Sequence, residues 1–150
     1  AEHFWVEAEE GYRTLQEQDP DQPQVLLGLV KALLAQAKSA QALFILNAFP
    51  ASKEYHAAQV LRPLAEAMVK QEKNEMPGET DLDAMFSNSI RLVCRKNHLA
   101  ALDGLLDLLR QDKHYRNDRA RQVFLAILEV LGAGDEDVRQ YRSELAMILF

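Results

Sequence analysis

Apolar residues recur at helical spacing from one end of the chain to the other, in eight segments separated by turn residues. The first segment sets Phe4 or Trp5, Ala8, Tyr12 and Leu15 on one face and stops at Asp19-Pro20. A second carries Leu26, Leu29, Val30, Leu33 and Leu34, with Asp21 and Gln24 spaced as a capping box and Pro23 tolerated in the first turn. Gly28 in its interior would let a neighbouring helix approach closely. Ser39 is the expected N-cap of a third helix bearing Ala42, Leu43, Leu46 and Phe49, ended by Pro50. A fourth spans about 53–72 with Ala58, Leu61, Leu64, Ala65 and Met68 inward, and Pro63 is expected to kink or divide it at Arg62.

The stretch KNEMPGETD, residues 73–81, is the clearest break. Thr80 with Asp83 restarts a fifth helix, whose stripe is Leu82, Phe86, Ile90 and Val93. Asn97 is the expected left-handed turn residue before a sixth helix with Ala101, Leu105 and Leu108 or Leu109. Asn88 and Ser89 stand where large apolar residues would be expected. The seventh helix holds Ala120, Phe124, Ile127, Leu128 and Leu131 and ends at Gly132-Ala133-Gly134. Asp135 caps the last, which carries Val138, Tyr141, Leu145, Ile148 and Leu149.

Shifting Ala8, Tyr12 and Leu15 by 34 residues lands on Ala42, Leu46 and Phe49. That ladder, closed by Pro20, resembles the second helix of a tetratricopeptide (TPR) repeat. The resemblance implies an all-α, right-handed helical solenoid of about eight antiparallel helices. Two repeats are good, a third is degenerate, and a helical pair closes the chain. Each hairpin would bury its stripe on its neighbours, leaving a groove suited to another protein. Residues 1–150 read as a single TPR-like domain whose first repeat lacks its opening helix, as in a fragment of a longer protein.

With 48% hydrophobic residues and 27% charged, 150 residues suffice for one substantial core. The net charge of −6 is uneven: residues 1–21 hold seven acids against Arg13, whereas 110–121 is basic through Arg110, Lys113, Arg116, Arg119 and Arg121. Both stretches read as solvated helix faces, and an acidic chain argues against nucleic acid as a partner. No apolar run is long enough to span a membrane and no signal peptide is visible. The single cysteine, Cys94, excludes an internal disulfide framework and fits a reducing cytoplasm; its apolar setting suggests a buried small hydrophobe.

Catalytic signatures are missing: no Gly-rich phosphate loop, no G-x-S-x-G, no H-E-x-x-H and no C-x-x-C. His3, His56, His98 and His114 are scattered, with His98 read as a turn residue and His114 as part of the exposed basic stretch. No enzyme activity, cofactor or metal is expected of this segment. A TPR carboxylate clamp needs Lys or Arg and Asn from successive first helices. The corresponding part of the second helix offers only Leu27 and Lys31, so the groove is expected to use apolar and mixed polar contacts.

The run GAGDEDVRQYRSELAMILF resembles the end of the bacterial thioredoxin-like proteins with a TPR tail, the chaperedoxins. That family closes on a similar Gly-x-Gly-Asp turn and a Tyr-Arg-containing helix ending on an aromatic residue. The resemblance implies a cytoplasmic domain that follows a thioredoxin-like one, holds client proteins and docks the chaperonin GroEL through its last helix. Its protein-binding residues would be Tyr141, Arg142, Leu145, Ile148, Leu149 and Phe150. Met147 completes an apolar run at 147–150 that one helix face cannot wholly bury. The alternative is an accessory domain that presents substrates to a thioredoxin-type disulfide oxidoreductase, in keeping with cell redox homeostasis.

Overall fold

A computed structural model describes the backbone of residues 2–150 and the side chains of residues 4–150. Among the described residues there are eight helices and no strand: α1 Glu2–Gln18, α2 Pro23–Ala35, α3 Ser39–Asn47, α4 Tyr55–Glu72, α5 Asp81–Cys94, α6 His98–Gln111, α7 Tyr115–Leu131 and α8 Glu136–Leu149. Consecutive helices pack as hairpins into an all-α, TPR-like solenoid, with α1 on α2 and α5 on α6 the most extensive neighbouring pairs. The expected stripes form its core. Leu29, Leu33, Leu46, Leu61, Leu64, Met68, Ile90, Leu105 and Phe124 are fully buried, each apolar side chain of this size contributing roughly 1.5–3 kcal/mol.

One pairing departs from stacking between neighbours. Helix α7 lies along α4 almost as extensively as the closest hairpin partners lie on each other, and also reaches α2. Lys31, the single basic candidate in the expected groove, pairs with Glu129 of α7 at 3.0 Å, and Leu27 is half-buried on the core. The stretch of α2 that would face a bound segment faces α7.

Two glycines set the hairpin distances. A Cβ on Gly28 would fall on the ring of Tyr12, so α1 approaches α2 through an aromatic side chain laid over bare backbone. On α5–α6 a Cβ at Gly104 would stand 2.5 Å from Ser89 Oγ. Ser89 is small because Gly104 brings α6 close, and its hydroxyl is satisfied by the Met85 carbonyl at 3.0 Å. That accounts for a polar residue at an apolar register.

Several local expectations are corrected. Pro63 does not divide α4, which is continuous around it. Leu61, Leu64 and Ala65 are buried on both sides of the proline, and Arg62 ties the turn to α3 by donating to the Leu46 carbonyl at 2.8 Å and Asn47 Oδ1 at 2.6 Å. Asp21 does not cap α2, because Pro23 takes the first helical position and puts Gln22, in the extended conformation a pre-proline residue prefers, at the N-cap. Ser39 is the first residue of α3 rather than its cap. Its buried hydroxyl donates to Glu72 Oε1 at the end of α4, 3.0 Å away.

Leu15 and Phe4 are exposed, since α1 is covered chiefly on its α2 side, where Trp5 and Tyr12 turn inward. The left-handed residue after α5 is Lys96 (φ 65°), not Asn97. Helices α2, α4 and α5 all end alike: Lys38, Glu75 and Asn97 donate to the carbonyls of Leu33, Lys70 and Leu92, and Ala37, Asn74 and Lys96 take the left-handed position. These are Schellman closures without glycine.

Thr80 and Asp135 cap α5 and α8 as expected. Thr80 Oγ1 accepts from the Asp83 N–H at 3.0 Å, and Asp135 Oδ1 accepts from Asp137 and Val138.

Candidate protein-binding site

The last helix is anchored before it is available. Val138 and Leu145 are buried, and the Tyr141 ring meets Phe124 edge-on at 6.3 Å between centroids. The Tyr141 hydroxyl donates to Asp103 Oδ1 at 2.7 Å, with the Leu99 carbonyl at 3.3 Å beside it, both on α6. Burial, and then that carboxylate, push the phenol well above its ordinary pKa. Ile148 and Leu149 are half-buried against the core. Of the six expected binding residues, Tyr141, Leu145, Ile148 and Leu149 therefore seat α8 on the solenoid. Arg142 and Phe150 face outward.

Met147 joins them: its side chain is 75% exposed and that of Phe150 fully so. Met147 was legible only as part of the run at 147–150, because its register on the helix decides which of those four residues points away. The outer face of α8 thus offers a flexible thioether, an aromatic ring and a guanidinium.

A second constellation escaped sequence reasoning. Asp83 is 1% exposed at the start of α5, and its carboxylate is held from across the fold. Tyr115 donates to Oδ1 at 2.5 Å, Arg116 grips both oxygens at 2.9 Å through Nε and one Nη, and the Glu79 N–H donates to Oδ2 at 3.2 Å. The Arg116 guanidinium foremost, then the Tyr115 hydroxyl, hold this carboxyl far below the ordinary range. Burial, with the same carboxylate, pushes Tyr115 up to about 12.

Arg116 is thus no member of a merely solvated basic face. It sits with Asn117 and Asp118 in three successive left-handed conformations, at φ 42°, 57° and 66°. Such backbone costs an ordinary L-residue roughly 1–2 kcal/mol, and Asn and Asp bear it better than Arg. The residues ligating Asp83 lie 32 and 33 positions away, so no spacing could announce them.

Glu9 on α1 makes a smaller version of the same device, and it too is more than a solvated acid. It accepts from Arg13 at 2.7 Å, Lys38 at 2.8 Å and Gln36 at 2.9 Å. Burial raises its pKa, but the bonds from Lys38, Arg13 and Gln36 outweigh it and set it at about 2.

Cys94 is half-buried, and burial together with Glu72 pushes its thiol up to about 11, which suits packing better than thiolate chemistry. His98 opens α6 rather than sitting in the turn, and its pKa is lowered by burial. His56 is exposed; His114 is exposed and bonded to Asp118 at 2.9 Å; His3 lies outside the described side chains. Among the described residues no group of three or more His, Cys, Asp or Glu is placed to hold a metal, and no helix is long and apolar enough to cross a membrane.

Stacked helical hairpins with an outward apolar terminus define the class: an α-helical repeat domain for protein–protein interaction. A tetratricopeptide repeat family model matches residues 64–150, more than half of the chain, and the chain belongs to that family. No curated protein and no solved structure matches it.

Proposed function

We propose that this domain is the interaction module of a bacterial, cytoplasmic thioredoxin-like chaperone of the chaperedoxin type. In this reading it holds client proteins, docks the chaperonin GroEL through the outer face of α8, and carries no catalytic group of its own. The observation that supports docking is the division of labour on α8. Val138, Tyr141 and Leu145 already seat the helix, yet Met147 and Phe150 remain in solvent beside Arg142. A cap serving only to close a solenoid normally shows a polar outer face.

The test spares the seating residues. Purified GroEL is offered to the domain and to Met147→Asp, Phe150→Asp and Arg142→Ala, all substituted at exposed positions. Loss of capture with an unchanged melting temperature supports docking, whereas full capture by all three variants rules it out.

A further inference from the structure

The Asp83 constellation borders a cavity of about 390 Å³. Glu66, Ala67 and Lys70 of α4 line it, together with Glu75, Met76 and Pro77 of the following loop. Phe86 of α5 closes the floor, and Arg116 and Arg119 stand at the α7 side. Phe86 is itself buried and stacked at a tilt on Tyr115, 5.4 Å between ring centroids.

We propose that residues 115–118 are a strained latch, closed by Asp83, whose release uncovers the Phe86–Tyr115 pair on the wall of this cavity. Three features carry it. The segment holds three consecutive left-handed residues with no glycine among them, so its closed shape is one the chain would leave if freed. Its side-chain hydrogen bonds to the rest of the fold converge on a single buried carboxylate, which Tyr115 and Arg116 share and which also accepts from the Glu79 N–H, while the Tyr115 ring packs on Phe86. From Ala120 onward α7 is buried among α2 and α4, so the motion has a fixed hinge side and a free side.

Opening would present two aromatic rings beside a cavity with charged walls, a surface for an unfolded apolar segment. That use rests on the client-holding reading; the existence of the latch does not.

The test is hydrogen exchange by mass spectrometry on the domain, with 8-anilinonaphthalene-1-sulfonate (ANS) as the probe of exposed apolar surface. Asp83→Asn is expected to speed exchange in 113–121 by about tenfold or more, to leave α2 amides unchanged and to raise ANS fluorescence. Asn117→Gly removes left-handed strain and is expected to slow exchange in the same segment, and to restore it partly when combined with Asp83→Asn. Should Asp83→Asn fail to fold, Arg116→Gln opens the same latch while keeping the Tyr115–Asp83 bond. Exchange that rises equally in every helix, or stays unchanged in 113–121, overturns the proposal. GroEL capture through α8 is read separately, so the two ideas fail independently.

Discussion

The hairpins α1–α2 and α5–α6 solve one packing problem with different side chains. Each places a glycine on its second helix under a residue of the first: the Tyr12 ring over Gly28, and the Ser89 hydroxyl over Gly104. Each also fastens its first helix by one carboxylate with several donors. Glu9 reaches nearby residues of α1 and the α2–α3 turn, whereas Asp83 is fastened to the start of α7. The first hairpin is fastened by contacts within itself and the turn that follows it, and is adjusted by a ring. The second is locked into the fold by contacts distant in sequence.

The sharpest way to break this comparison is to fill both glycines. Gly28→Ala forces a whole ring aside and is expected to cost roughly 1–3 kcal/mol in chemical denaturation. Gly104→Ala only displaces a hydroxyl and gains helix propensity of about 1 kcal/mol, so its net effect should stay within about 1 kcal/mol of zero. Adding Ser89→Ala to Gly104→Ala should turn that change into a stabilisation. Equal losses at the two glycines would show that ring and hydroxyl do the same job.

Next in size, Tyr141→Phe removes the bond from α8 to Asp103 on the second helix of the α5–α6 pair and should cost about 1 kcal/mol. The change should be seen in thermal melts without loss of GroEL capture.

Smaller still, Ala37→Gly and Lys96→Gly relieve left-handed strain at the ends of α2 and α5. Each should add about 0.5–1 kcal/mol of stability.

The least effect is a pH one. The folded pKa of Glu9 is lowered to about 2, so its contribution is present above the unfolded carboxylate range near 4.5 and fades as pH falls from there toward 2. With water screening the site, the amplitude should lie below about 1 kcal/mol. Glu9→Gln should flatten that part of an acid-unfolding curve, while the Asp83 knot persists to lower pH.

What the chain disclosed in advance follows the range of each interaction. Helix order, the core stripes, the loop at 73–80 and the Thr80 and Asp135 caps all depend on residues a few positions apart, and spacing reveals them; Gly28 was legible as a small residue inside an apolar helix, though its partner Tyr12 was not. The Asp83–Tyr115–Arg116 knot and the α4–α7 packing join residues more than 30 apart in sequence, on which periodicity is silent. The Schellman ends were hidden for a different reason. Ala37 and Lys96 occupy positions that usually advertise themselves with glycine. In the last helix the apolar run at 147–150 was visible, yet only packing separated the anchoring Ile148 and Leu149 from the outward Met147 and Phe150.

The lie of α7 along α4 and across to α2 also bears on how this domain melts. Repeat arrays commonly unravel from an end, one module after another, because each touches only the next. Here the penultimate helix is wedged among earlier ones, so α2, α4 and α7 share one fate. Denaturation should be a single cooperative step for that block, with α1 and α8 fraying ahead of it.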